Sequence, residues 1–392
     1  MNPVYVIDYA VIDTLGLDIS SNYVNMLDLV KGPQPITRFD LTPFPNIQST
    51  KGFEIAHYSG ENLLIKLMND LVNQLSQRNH FPKDTAVVFG SFASSGHAVK
   101  NDFEAAMFGG SHRFSPTRLL MNNHDLLSAN ISKKLQLEGL STSLNAACSS
   151  SMFNLHYAFN CIQSGTLSTA LVGAVETPFT PGTQYYWQST SAISTNDGGT
   201  SIPFDNKRDG FLQAEGGSIW FLCNEQFVKD HGLTPKARIL SVEAAAKCHD
   251  AASLTAHDKT GAHQIELINK ALRNANKTVK DIAFFNAHAT STPVGDDIEF
   301  EVFQKVFSDI DIPCVSFKGY LGHVMSACGM IEMAYGLEAV KNGYLHPNYN
   351  LTDPLSNDPR LITQTKNISG NTFMKTSFGF GGRSVVTIVE SL

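Results

Sequence analysis

Short apolar runs alternate with longer helical patterns along nearly the whole chain, and this alternation limits the possible folds more than any other feature. Strand candidates lie at 4–7, 85–89, 170–175, 218–222, 282–286 and 385–389. Helical stretches fall between them at 61–78, 149–164, 263–274, 294–307 and 327–341. Strands separated by helices call for sheets covered by helices, which is the α/β class. At 392 residues the chain exceeds what one small core needs, so two subdomains are expected. The segment 231–236, with Gly232 and Pro235, reads as a connector and divides 1–236 from 237–392. No short repeat or low-complexity tract is visible, although each half contains strand, helix and strand in similar order.

Composition narrows the function classes. Hydrophobic content of 42%, charged content of 17% and a net charge of −7 describe a soluble globular protein and argue against a nucleic-acid partner. Asp8 and Asp13 interrupt the early apolar stretch and no charged segment precedes it, so no signal peptide is expected. No run reaches the roughly 18 apolar residues of a membrane span. Six cysteines without a CxxC pair fit free thiols in a reducing, cytoplasmic setting. His249 and His257, eight apart with no nearby cysteine pair, give little support to a metal site.

Residues 140–176 carry the most chemical information. A strand reading over 141–146 is followed by Ala147, Cys148 and three serines, then by an apolar helix to Gly165 and a second strand. Cys148 therefore falls at a helix N-terminus, where unpaired N–H groups and the helix dipole favour the thiolate. A thiolate is the form that attacks a thioester. Ala146, Ala147 and Ser149 are small enough to leave the sulfur approachable. A buried cysteine in a tight turn fits the same segment. Downstream, NAHATSTPVGD at 286–296 puts His288 at the C-terminal end of a strand, where α/β enzymes place chemistry. PCVSFKGYLGHVMSACG at 313–329 sets Lys318 and His323 in a glycine-flanked loop between a strand and a helix. Either histidine alone reads more readily as a structural hydrogen-bonder, and the pair matters more than either member. Two imidazoles and a cysteine at the ends of three strands can converge on one pocket.

Taken in order, NAACSSS at Cys148, PFDNKRDGF at 203–211, NAHATSTP at His288, KGYLGH at 318–323 and SFGFGG at 377–382 resemble the elongating β-ketoacyl-acyl-carrier-protein synthases of the thiolase superfamily. The resemblance spans nearly the whole chain. It implies a thiolase-like α/β fold: two βαβαβαββ halves related by a pseudo-twofold axis, in five α-β-α-β-α layers. The first half would carry the cysteine and the second both histidines. The resemblance assigns Cys148 as the acyl-accepting nucleophile, His288 and His323 as catalytic histidines, and Lys318 and Glu332 as supporting charged residues. Thr290, Thr292 and Thr255 match threonines that bond the phosphopantetheine arm of the acyl carrier protein. Phe380 resembles a gating phenylalanine whose backbone N–H joins that of Cys148 in an oxyanion hole. Phe114 resembles the floor of the acyl channel and Trp187 one of its walls. Two such rings would favour short or flat conjugated acyl groups over long saturated ones.

The implied reaction is the decarboxylative Claisen condensation of malonyl-carrier protein with an acyl group on Cys148, needing no metal or organic cofactor. The implied partners are the carrier protein and a second subunit, either another copy or a chain-length-factor-like relative. An initiating synthase or chalcone-type enzyme would carry asparagine at the position of His323, and a thiolase would carry a second catalytic cysteine near the C-terminus. This chain has neither, which favours elongation. Asn145-Ala146, Ala289 and Arg383-Ser384 depart from the usual Asp-Thr, glycine and Thr-Asn. These departures suggest a specialised type II polyketide or polyene pathway rather than housekeeping fatty-acid synthesis. Two other readings stay open: a chain-length-factor-like partner subunit, and a non-elongating acyltransferase or cyclase of the same fold.

Overall fold

Ten segments rich in β-branched and aromatic residues pair into one ladder of strands. A computed structural model describes residues 2–60, 62–92, 125–247 and 258–392. The strands are β1 (Val4–Ile12), β2 (Ala86–Gly90), β3 (Ser141–Thr142), β4 (Thr169–Glu176) and β5 (Gly216–Asn224), then β6 (Ala237–Ala246), β7 (Phe285–Asn286), β8 (Cys314–Val315), β9 (Thr372–Gly379) and β10 (Arg383–Ser391). Their spatial order is β3-β2-β4-β5-β1-β6-β10-β9-β7-β8. Counted from its own first strand, each set of five has the same order. The senses repeat as well: β3, β2 and β4 run parallel, as do β8, β7 and β9. β5 and β10 then run antiparallel to both their neighbours. Among the described residues the two sets of strands pair only where Val4, Tyr5 and Val6 meet Ile239, Arg238 and Ala237.

Three separate cores show how the layers stack. The helices that build them are α1 (Leu63–Ser76), α2 (Leu126–Leu135), α3 (Ser150–Gln163), α4 (Pro181–Ser189), α5 (Glu225–His231), α6 (Ala262–Asn274), α7 (Pro293–Val306), α8 (Lys318–Leu321) and α9 (Cys328–Asn342). On one outer face Leu67, Leu71 and Leu75 of α1, at four-residue spacing, pack on Ile7, Phe89 and Ile219. On the other, Ile268 of α6 and Phe303 of α7 pack on Met374, Val386 and Ile388. Between the two half-sheets lie α3 and α9, in a core that joins Met152 and Leu155 to Met330, Ile331, Trp220 and Phe373. α9 buries every residue from Cys328 to Ala339, as a helix covered on all sides must. The result is the five-layer α-β-α-β-α arrangement of the thiolase-like fold.

Most elements run a residue or more past the sequence-predicted bounds at one end or both, but two strands are shorter, and the helices expected at 61–78 and 149–164 span only Leu63–Ser76 and Ser150–Gln163. The segment 282–286 pairs only at Phe285–Asn286, because residues 279–281 form a helical turn closed by Thr278 and Asp281. Over 141–146 only Ser141–Thr142 joins the ladder. Beyond it, side chains of α3 take the backbone N–H groups: Leu144 N–H donates to Asn154 Oδ1 at 2.9 Å and Ala146 N–H to Ser150 Oγ at 2.9 Å. His231 is still helical, and the connector starts at Gly232, whose φ of +60° ends α5. Strands β6 and β9 were not apparent from the alternation. Among the described residues no helix is long and apolar enough to cross a membrane.

The contact between the central helices depends on one glycine. A Cβ on Gly329 would lie 2.3 Å from Met152 Cγ. Exchanging glycine for alanine in an exposed helix gains about 1 kcal/mol. Here overpacking costs about 1–3 kcal/mol and wins. Gly329→Ala should therefore lower the thermal unfolding midpoint. A midpoint at or above that of the unaltered chain contradicts this packing account.

Candidate active site

Cys148 sits on a turn forced by its neighbours. Ala147 adopts φ +52°, a left-handed conformation uncommon without glycine. Ser150 Oγ holds the turn by accepting from Ala146 N–H and donating to the Ala147 carbonyl at 2.7 Å. The loop 378–382 of the second half presses against it. A Cβ on Gly379 would come within 2.7 Å of the Ala146 carbonyl and 2.8 Å of Ser149 Oγ, so only glycine fits. This approach brings Phe380 and Cys148 to the wall of one cavity.

His288 follows the end of β7. Its backbone N–H and that of Ala289 donate to the two carboxylate oxygens of Glu299 at 2.8 and 2.6 Å, and Thr376 Oγ1 donates to Glu299 Oε1 at 2.6 Å. Lys318 Nζ donates to the His288 carbonyl and lies 3.4 Å from His288 Nδ1. An ammonium has only donors, so this contact assigns Nδ1 as acceptor and leaves the proton on Nε2.

His323 follows α8. Its backbone is fixed by His323 N–H donating to the Leu212 carbonyl at 2.7 Å and Ala214 N–H donating to the His323 carbonyl at 2.9 Å. Its ring stands edge-on to Phe211 at 5.1 Å and to His288 at 5.6 Å. The residue is 1% exposed, and neither ring nitrogen has a hydrogen-bond partner among the described residues. Burial, reinforced by Lys318 and Lys375, pushes its pKa well below the usual histidine value, so the ring is neutral.

Behind the histidines, Glu332 of α9 accepts from two buried lysines. Lys318 Nζ is 2.6 Å from Oε1 and Lys375 Nζ is 2.5 Å from Oε2. Lys318 thus lies in a short buried helix rather than in an open loop. Burial and the Glu332 carboxylate act oppositely on both lysines: Lys318 ends above and Lys375 below the usual lysine range. Lys375 and Glu299 escaped the sequence reading. The signal for Lys375 was a cation inside the otherwise uncharged run 372–379, and for Glu299 a carboxylate eleven residues after His288.

The cavity has a volume of about 310 Å³, and its walls include Cys148, Phe211, His288, Thr290, Thr292, His323 and Phe380. Thr290 Oγ1 and Thr292 Oγ1 lie 3.1 Å apart just before α7. Trp187 is not among the lining residues. It stacks on Phe380 at 5.7 Å and meets Phe211 edge-on at 5.3 Å, so it backs the wall. Phe114, Thr255, His249 and His257 lie outside the described residues. The thiolate expected at the helix terminus is corrected. Burial pushes the Cys148 thiol up, with Cys328 adding to it against Lys318 and Glu176 adding to it further, so the resting sulfur is protonated.

Residues 69–227 match the N-terminal domain of β-ketoacyl synthases and residues 239–352 match the C-terminal domain. The chain belongs to the β-ketoacyl synthase family. It is 28% identical over 394 residues to the chloroplastic 3-oxoacyl-[acyl-carrier-protein] synthase II of Arabidopsis thaliana, covering 95% of this chain and 72% of the relative. It is 26% identical over 399 residues to the 3-oxoacyl-[acyl-carrier-protein] synthase 2 of Staphylococcus aureus, covering 96% and 98%. Among solved structures, a type II polyketide ketosynthase in complex with its acyl-carrier protein and bound to a hexaketide superposes with a TM-score of 0.88 at 20% identity, over 100% of this chain and 99% of the other. The ishigamide ketosynthase/chain length factor gives 0.86 at 20% identity, over 100% and 99%. As a β-ketoacyl synthase the chain is an enzyme of the acyltransferase class.

The protonated state of Cys148 in this synthase is directly measurable. Because burial holds the thiol above its usual value of 9.0, alkylation of Cys148 by iodoacetamide should accelerate about tenfold per pH unit from about pH 7 to pH 9 without levelling. A plateau near neutral pH would show a resting thiolate and contradict this.

Proposed function

We propose that this synthase condenses malonyl-acyl carrier protein with an acyl group held on Cys148. One observation carries the reading: Cys148 and two buried imidazoles, one held as the Nε2–H tautomer and the other neutral, face a single cavity. In the first half-reaction the Cys148 sulfur attacks the acyl thioester of the carrier, whose sulfur leaves with the proton. The resting thiol loses that proton during the attack, and it passes to the departing carrier sulfur. Backbone N–H groups of Cys148 and Phe380 receive the oxyanion, each such donor being worth about 3–4 kcal/mol.

In the second half-reaction the malonyl thioester loses carbon dioxide, and the electrons of the broken C–C bond become an enolate. His288 and His323 donate hydrogen bonds to the enolate oxygen. The carbanion then forms a C–C bond to the acyl carbonyl, the C–S bond to Cys148 breaks, and the sulfur takes up one proton from solvent. Thr290 and Thr292 bond the phosphopantetheine arm, which the carrier supplies; the synthase itself needs no bound cofactor.

The acyl-carrier-protein names of the relatives and the carrier complex of the hexaketide ketosynthase support that partner. In this reading the nucleophile half is 1–236 and the histidine half 237–392, in line with the repeated strand order. The functional unit is a dimer with itself or with a chain-length-factor-like subunit, a pairing named for the ishigamide protein. The departures at Asn145-Ala146, Ala289 and Arg383-Ser384 support a specialised polyketide, polyene or fatty-acid pathway, and the free-thiol cysteine usage supports the cytoplasm.

Cys148→Ala should abolish acyl loading, read by intact-protein mass spectrometry. His288→Ala and His323→Ala should still load but lose about 10²–10³-fold in malonyl decarboxylation in single-turnover assays. Wild-type condensation by Cys148→Ala, or normal decarboxylation by His323→Ala, overturns the reading.

A further inference from the structure

A lysine almost never sits in a protein core, yet Lys375 lies in the middle of β9 with its side chain fully buried. It faces the central layer, where it meets Glu332 of α9. Its ammonium has three acceptors: Glu332 Oε2, the Ala287 carbonyl at 3.0 Å and Asn286 Oδ1 at 3.2 Å. Three acceptors match the three protons of the charged form. Lys375 is the register partner of Asn286, two residues before His288. It therefore clamps the strand end that delivers that histidine. The other Glu332 oxygen already has Lys318, so the ion pair is complete without Lys375, and the site holds an additional cation.

We propose that Lys375 is a positioning residue of the decarboxylation step: it fixes Glu332 and the end of β7, and its charge keeps His323 a hydrogen-bond donor rather than a proton donor. This rests on the condensation reading above. A neutral imidazole can hold the enolate oxygen without surrendering its proton. An imidazolium in its place quenches the carbanion, converting malonyl thioester and one proton into acetyl thioester and carbon dioxide with no new C–C bond.

The charged groups acting on the His323 ring are Lys318 and Lys375, and both oppose its protonation. Glu332 is engaged by the two lysines, Glu299 by the backbone of His288 and Ala289 and by Thr376, and Asp296 through one oxygen by the Phe204 N–H. The other ring neighbours, His288 and Phe211, stand edge-on to it. Cys148, across the cavity, and Cys328 beside it are held as neutral thiols by burial. Loss of Lys375 removes one of the two cations and leaves the Lys318–Glu332 pair intact.

The test compares the wild-type enzyme with Lys375→Gln, which keeps an N–H donor but no charge, and Lys375→Met, which keeps neither. Acyl-loaded protein is given malonyl-carrier protein, and the ratio of acetyl- to β-ketoacyl-carrier product is read by mass spectrometry at about pH 6 and about pH 8. The wild-type ratio should change less than about twofold between them, whereas both variants should shift towards acetyl by at least about threefold at the lower pH. A purely structural role would reduce both products together, and a wild-type pH dependence of the ratio in Lys375→Gln overturns the proposal. The His323 ring signal of the wild-type chain, assigned by its loss in His323→Asn, gives a readout independent of activity and of variant folding. Its midpoint should fall below the usual 6.5, and a midpoint at 6.5 or above also overturns the proposal. A wild type that releases no carbon dioxide at any pH sinks the condensation reading instead, and the ring titration then still reports on His323.

Discussion

The Glu332 carboxylate is the fixed point from which the catalytic geometry is measured. It lies on the helix buried between the two half-sheets and receives Lys318 on one oxygen and Lys375 on the other. Lys318 continues to the His288 carbonyl, and Lys375 to Asn286 and Ala287 at the end of the same strand. Apolar burial around α9 is non-directional and fixes no particular atom. The two ammonium contacts do, and they tie α8, α9, β7 and β9 to a common point. Removing Glu332 would leave two buried cations facing each other, where even one uncompensated buried charge costs about 3–5 kcal/mol.

The cavity itself comes from the pseudo-symmetry of the fold. The same strand order in both halves places the turn after β3 and the turn after β7 at corresponding ends of their sheets. The first turn carries Cys148 and the second His288. The hairpin loop between β9 and β10 closes over the cysteine because Gly379 permits contact with the Ala146 carbonyl. Trp187, stacked on Phe380, ties α4 to that loop, so the aromatic wall behind the cavity and the loop 378–382 are one packed unit.

How much of this was legible in the sequence follows from where each residue sits. Cys148, His288 and His323 stand on turns, where small and glycine neighbours interrupt the apolar periodicity and make a polar residue conspicuous. The helices and most strands were legible because their period persists over many residues, whereas the long strands β6 and β9, interrupted by charged and polar residues, were not. Lys375 and Glu299 were not, because each lies within a regular element and acts through a partner distant in sequence. The ionisation of Cys148 was misread because a helix terminus is a local feature of sequence, whereas burial is set by the loop 378–382 and α9. Likewise the strand at 141–146 was cut short by Asn154 and Ser150, two side chains of the following helix.

The chemistry favoured by this site is the handling of negative charge without a strong acid. The sulfur rests as a thiol, the imidazoles are uncharged donors, and the cations stand one layer behind them. Such an arrangement stabilises an enolate while leaving it nucleophilic. The most direct measurement is a single turnover of acyl-loaded wild-type protein with malonyl-carrier protein carrying ¹³C at the free carboxyl and at C2. The account predicts that each labelled carbon dioxide released is matched by one β-ketoacyl product labelled at its α-carbon. Transfer of the acyl group without release of labelled carbon dioxide would contradict it.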